Sequence, residues 1–504
     1  MKASLTINRK FEIAPIDDRI YGSFLEHLGR AIYEGIYEPG HPSSNEQGFR
    51  TDVLEIIREL QVPVVRYPGG NYVSAFKWED SVGPRELRPK RMDLAWRSIE
   101  TNQFGIAEFY EWCKQANTEY MMAINLGSRG IEEARNLLEY CNDTSGAAWG
   151  ELRKQHGYPE PFNIRMWCLG NELDGPWQVG HKTAYEYGRL ANETAKTYRK
   201  FDESLELVVC GSSNDKMSTY PAWEAEVLEQ SYESVDYISL HKYWNNHGKD
   251  TLNYLASHYE LDEYINTVRG VLQYVKARKR AKNDVYISFD EWNPWYHVTA
   301  RDNERMKSWD WPEAPHLFED PYNLEDALLV GTVINSFIRN ADIVKIACMA
   351  QLVNVIAPIS TEKGGRVWKQ TIFYPYALAS RFGRGVALQA LVDSPTYDCA
   401  IREQAAYLDA SAVLNEEARE VRIFCVNKHP DQSLPTELVL ENLPGLSGVE
   451  HLCLTGTDRY QTNPVDRPDQ VVPQARAVPT VDQGRSLVSL PPLSFNVLRY
   501  QYQD

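Results

Sequence analysis

The sequence predicts a (β/α)₈ barrel carrying a second, all-β module, and three observations predict it. Short apolar, β-rich runs alternate with amphipathic helical segments through most of the chain. That alternation stops near residue 385, where strands separated by Pro, Gly and Asp/Asn turns take over. The length of 504 residues exceeds one ordinary compact domain and leaves room beyond a barrel of roughly 250 residues.

In chain order, Ser4–Ile7 and Phe11–Ile13 read as strands that precede the barrel, and they are expected to join the C-terminal module. Eight strand candidates follow: Ile20–Phe24, Val62–Tyr67, Tyr120–Asn125, Ile164–Leu169, Leu207–Cys210, Val235–Leu240, Val285–Phe289 and Ile343–Met349. The helix over Thr51–Leu60 is predicted from Val53, Ile56, Ile57 and Leu60 at i, i+3, i+4 and i+7. Further helices are predicted over Gly105–Ala116, Ile131–Cys141, Lys182–Arg199, Ile265–Arg278 and Leu324–Arg339, and a last one over Phe373–Phe382. Beyond Gly385 the strands Glu420–Asn427, Thr436–Leu440, Glu450–Leu454, Leu487–Leu490 and Phe495–Tyr500 predict a β-sandwich. The expected domains are a barrel over residues 16–384 and a sandwich made of residues 1–15 plus 385–504.

Composition narrows the function. With 43% hydrophobic and 24% charged residues the chain reads as soluble and globular, and no apolar run reaches the ~18–20 residues of a bilayer span. A net charge of −17 repels nucleic acid and anionic lipid, so neither is expected as a partner. The N-terminus lacks the apolar core of a signal peptide, and the eight cysteines are scattered without a Cys-x-x-Cys pair. A reducing, cytoplasmic compartment is expected. The 13 Trp and 30 Tyr serve core packing or sugar stacking.

In a barrel of this kind the chemistry sits where strands end and βα loops begin. Polar residues follow most of the apolar runs: Glu26-His27, Arg66-Tyr67-Pro68-Gly69-Gly70-Asn71, Gly170-Asn171-Glu172, His241-Lys242-Tyr243-Trp244, Asp290-Glu291-Trp292-Asn293, then Gln351 and Asn354. Glu172 and Glu291 end the fourth and seventh runs. Either alone reads first as a capping acid at a helix start, and only the two together favour chemistry. Two carboxylates at matching strand ends are what glycoside hydrolysis requires, one attacking and one exchanging protons. Glu26 adds a third carboxylate, which would raise a neighbouring acid. His241 reads as a hydrogen-bonding histidine rather than a ligand. The chain has no His-Glu-x-x-His and no His-x-His after the first strand, which argues against a hydrolytic metal. Pro68-Gly69-Gly70-Asn71 lacks the Lys-Ser/Thr of a phosphate loop.

These strings, with Tyr21-Gly22-Ser23-Phe24-Leu25-Glu26-His27, Leu94-Ala95-Trp96-Arg97-Ser98-Ile99-Glu100-Thr101-Asn102 and Asn171-Glu172-Leu173-Asp174-Gly175-Pro176-Trp177, resemble the α-L-arabinofuranosidases of glycoside hydrolase family fifty-one in their intracellular bacterial form. The resemblance covers nearly the whole chain and is strongest over residues 20–375. It implies a TIM-type barrel with a jelly-roll-like sandwich, exo action on arabinose-containing oligo- or polysaccharide, net retention, no cofactor or metal, and a homohexamer. Glu172 then matches the acid/base and Glu291 the nucleophile. Glu26, Asn71, Asn171, Tyr243 and Gln351 match residues that hold the arabinose, and Trp96 and Trp295 match aromatics lining its pocket. A retaining β-xylosidase or β-glycanase shares the catalytic pair, and a non-catalytic carbohydrate-binding protein is the alternative from another class.

Overall fold

A computed structural model describes residues 1–503. Eight parallel strands close into a barrel: β1 Gly22–Phe24, β2 Val64–Tyr67, β3 Glu119–Ala123, β4 Met166–Leu169, β5 Glu206–Cys210, β6 Tyr237–Trp244, β7 Tyr286–Pro294 and β8 Val344–Ala350. β8 returns to β1, with Met349 opposite Ser23, and completes the ring. Each of the eight expected strands is present. β2 and β4 are buried from end to end, because helices cover the outside of a parallel barrel while its interior is filled with side chains.

The helix α1 (Thr51–Leu60) has the expected bounds but a slightly rotated face. It buries Val53, Leu54, Ile57 and Leu60, and Ile56 is only half-buried. Leu54 and Ile56 lie on opposite edges of the stripe set by Val53, Ile57 and Leu60, and packing buries Leu54. The helix expected from Lys182 starts later, as α2 (Ala184–Phe201). Thr183 caps it: its hydroxyl accepts from the Glu186 N–H, and the Glu186 carboxylate accepts from the Thr183 N–H. A helix over Ala222–Ser231, which the sequence reading does not name, follows β5.

The C-terminal module is one ten-stranded sheet curled around its own core. The N-terminal strand is a single element, Ala3–Pro15, with its register shifted between Ile7 and Glu12. It pairs antiparallel with Val386–Asp393 and parallel with Leu434–Glu441. Alternation along Glu420–Asn427 explains how the sheet serves two masters. Val421, Ile423 and Cys425 fill the inside of the curl, whereas Phe424 and Val426 join the barrel's core. Between sheet and barrel lies α3 (Leu324–Arg339), buried on every side from Leu324 to Ile338. A Cβ at Gly331 would come within 2.7 Å of the Phe495 ring, so the glycine lets sheet and helix touch. Among the described residues no helix is long and apolar enough to cross a membrane.

Candidate active site

The expected site residues gather at the C-terminal ends of the barrel strands. A cavity of about 40 Å³ is lined by Glu26, Asn71, Trp96, Glu172, Tyr243, Glu291, Trp295 and Gln351, with Phe24, Leu28 and Ile356. Asn171 is held beside it. Its Oδ1 accepts from Arg66 Nη2 at 2.7 Å, and its Nδ2 donates to Asn71 Oδ1 at 3.3 Å.

Each carboxylate is aimed by its backbone. The register of β7 slips between Ser288 and Glu291 against β6, and between Phe289 and Trp292 against β8. This irregularity lets the consecutive Asp290 and Glu291 both reach groups on β2 and β6, which a regular strand forbids. On the opposite side, β4 ends in Gly170 at φ 101°, and Glu172 itself sits in the left-handed region at φ 45°. A non-glycine residue there costs about 1–2 kcal/mol, a strain that clusters at functional positions. The turn is closed by the Gly175 N–H donating to the Glu172 carbonyl at 2.9 Å.

Hydrogen bonds fix the two glutamates. Glu172 is 9% exposed and Glu291 5%. Glu291 Oε1 accepts from Arg66 Nη1 at 2.6 Å, and its Oε2 accepts from the Tyr243 hydroxyl at 2.8 Å. Glu172 Oε1 meets His241 Nδ1 at 2.7 Å, and its Oε2 accepts from Trp177 Nε1 at 3.0 Å. An oxygen of Glu172 lies within 4.8 Å of one of Glu291. His241 bridges the centre, its Nε2 facing Asp290 Oδ1 at 2.9 Å.

Burial and charge set the protonation states. Burial alone would lower His241, but Glu291, Asp290 and Glu172 raise it to about 10, so it is an imidazolium at neutral pH. Burial lifts Glu291 above the usual carboxylate range against the pull of His241 and Arg66. Glu26 is pushed up to about 8, first by burial and then by Glu291. Its Oε1 accepts from the Tyr72 N–H and from Trp96 Nε1, at 2.8 and 2.9 Å. The Glu26 N–H in turn donates to Gln351 Oε1 at 2.9 Å. Glu26 Oε2 and Gln351 Nε2 remain for a ligand in the cavity these residues line.

Sequence reasoning gave no role to Arg66, Asp290 or Trp177. Arg66 had the clearest signal, a guanidinium 1% exposed in the middle of an apolar run. Trp177, half exposed at the rim, carried no pattern to find it by.

Comparison with known proteins agrees with this geometry. The family description "Alpha-L-arabinofuranosidase 1 domain" matches residues 56–277, and "Alpha-L-arabinofuranosidase C-terminal domain" matches residues 290–494. The chain is 54% identical to an intracellular exo-α-(1→5)-L-arabinofuranosidase of Halalkalibacterium halodurans, covering 99% of both chains. It is 52% identical to one from Bacillus subtilis, covering 100% of both. A solved family 51 α-L-arabinofuranosidase from Bifidobacterium longum superposes with a TM-score of 0.95 at 40% identity over 99% of both chains. An arabinose complex of the Thermotoga maritima α-L-arabinofuranosidase does so at 0.89 and 35%, again over 99% of both. The chain therefore belongs to the α-L-arabinofuranosidases of glycoside hydrolase family 51.

Proposed function

We propose that this chain is an exo-acting, retaining glycosidase that releases terminal non-reducing arabinofuranose from arabinan, arabinoxylan or arabino-oligosaccharides. One observation carries the reading: oxygens of Glu172 and Glu291, which both line the same cavity, approach within 4.8 Å of each other. An inverting pair stands roughly 6.5–9.5 Å apart to admit water, whereas a retaining pair stands roughly 5–5.5 Å apart.

Glu291 attacks the anomeric carbon while Glu172 gives its proton to the departing glycosidic oxygen. Water then loses a proton to Glu172 and displaces Glu291 from the same carbon. Arg66 and Tyr243 hold the attacking carboxylate, and the His241 imidazolium stabilises the anions around it. Glu26, Asn71, Asn171 and Gln351 bind the sugar hydroxyls, and Trp96 and Trp295 wall the pocket. A small cavity lined by both carboxylates supports removal of single terminal residues.

The division into a barrel, residues 16–384, and a sheet module, residues 1–15 with 385–504, is supported by the pairing of Ala3–Pro15 with Val386–Asp393. Asp504 lies outside the described residues. Cytoplasmic location is supported by the word intracellular in relatives' names and by eight unpaired cysteines. A homohexamer rests on the family resemblance, and light scattering at six times the chain mass tests it.

The deciding experiment is a screen of aryl α-L-arabinofuranoside, β-D-xyloside and β-D-glucoside. The arabinofuranoside is expected to have the highest kcat/KM. Preference for either β-glycoside would replace this reading with a β-xylosidase or β-glycanase, and inertness towards all three with a binding protein.

A further inference from the structure

We infer that Glu172, His241 and Glu291 also form a binding site for a divalent cation of the Zn²⁺ class, which blocks the pocket. One donor atom from each of the three side chains lies within 4.8 Å of the others, and all three residues are buried. His241 Nδ1 is 2.7 Å from Glu172 Oε1 and 3.6 Å from Glu291 Oε2. Tetrahedral zinc with bonds of about 2.1 Å needs donor atoms about 3.4 Å apart, so these two spacings bracket the requirement. Imidazole with carboxylates is a donor set that zinc accepts.

A second feature points the same way. A metal-ligating histidine characteristically donates its other ring N–H to a carboxylate that orients it. His241 Nε2 faces Asp290 Oδ1 at 2.9 Å, and Asp290 is itself fixed by the Ser239 hydroxyl at 2.6 Å and the Ser288 hydroxyl at 3.0 Å. The supporting arrangement is built and buried. Glu172 and Glu291 both line the cavity, so a cation held between them would stand at its wall.

Binding replaces with the metal both the proton on Nδ1 and the proton that Glu172 carries as the acid, and releases them to solvent. The cation then occupies the space between the two carboxylates that a sugar's anomeric centre needs. It acts as a competitive inhibitor and takes no part in turnover. The inference stands on the geometry of the three side chains, not on which glutamate attacks, so its failure and that of the catalytic assignment are separable.

Co²⁺ is the probe, because its visible absorption reports a low-coordinate site without any turnover. The wild-type protein is expected to develop the band at one Co²⁺ per chain and to lose it on titration with arabinose. Zn²⁺ should inhibit hydrolysis of an aryl arabinofuranoside competitively, reversed by EDTA. Glu172→Gln and His241→Asn should abolish the band, and Asp290→Asn should weaken Co²⁺ binding about 10- to 100-fold. His316→Ala, an exposed histidine elsewhere, should leave it intact. Absence of the band, or a band that survives saturating arabinose, overturns the inference. The arabinose competition decides the question in the wild type even if a ligand variant does not fold.

Discussion

Arg66 Nη1 donates to Glu291 Oε1 at 2.6 Å, so a buried cation on β2 holds a carboxylate on β7. The same guanidinium reaches Asn171 through Nη2, and only a planar fork serves both acceptors. Arg66→Lys keeps the charge but loses the fork, and kcat should fall about 10²–10³-fold, as for loss of a preorganised donor. Arg66→Ala leaves Glu291 and Asp290 without their guanidinium partner and should cost about 3–5 kcal/mol of stability, read by denaturant unfolding.

Tyr243→Phe removes the hydroxyl that donates to Glu291 Oε2 without changing the ring packed on Trp295. A hydrogen bond to a charged group contributes about 1.5–3 kcal/mol, so if the bond is as strong in the transition state kcat should drop about 10- to 150-fold, and Tm should fall because a buried carboxylate oxygen loses its donor. Steady-state kinetics beside a thermal melt check both halves.

His241 is raised from 6.5 to about 10, and Glu26 from 4.5 to about 8. For both groups the folded state holds its proton more tightly than the unfolded chain. The stability each contributes is therefore complete below its unfolded pKa and is lost as pH rises through its folded value. Wild-type Tm should decline between pH 6.5 and 10 from His241, with a share from Glu26 between pH 4.5 and 8. Glu26→Gln should flatten the lower part of that decline and His241→Asn the upper part. Parallel melting curves across pH for all three proteins would contradict the assignment.

Two carboxylates complete the double displacement without a Lewis acid. Extensive EDTA treatment should leave kcat/KM unchanged or raise it by stripping an inhibitory cation. Loss of activity restored specifically by one divalent ion would overturn this.

The barrel was legible because its strands are continuous apolar runs, and Glu172 and Glu291 because each follows such a run directly. The helix Ala222–Ser231 was missed for a physical reason. Its inward face includes Glu224, fully buried and accepting from the Ser212 N–H, which breaks the apolar stripe. The role of Arg66 was not legible because its partners lie on distant strands, and only the closed ring brings them together. His241 does hydrogen-bond, as read, and its position between Glu172 and Asp290 depends on the irregularity in β7. The single long strand Ala3–Pro15 read as two pieces because Asn8–Lys10 interrupts the apolar pattern where the register shifts.

The central claim is that Glu291 attacks and Glu172 exchanges protons, and azide tests it most directly. Glu172→Ala should lose about 10²–10⁴-fold on natural oligosaccharides, whose alkoxide leaving groups need a proton, and far less on nitrophenyl arabinofuranoside. Azide needs no general base, so it should rescue turnover of the aryl substrate by Glu172→Ala and give an arabinosyl azide of retained configuration. With Glu291→Ala the same anion enters the vacated face and should give the inverted azide. Proton NMR of the two products is the measurement: retained from Glu172→Ala with inverted from Glu291→Ala supports the assignment, and the opposite pairing contradicts it.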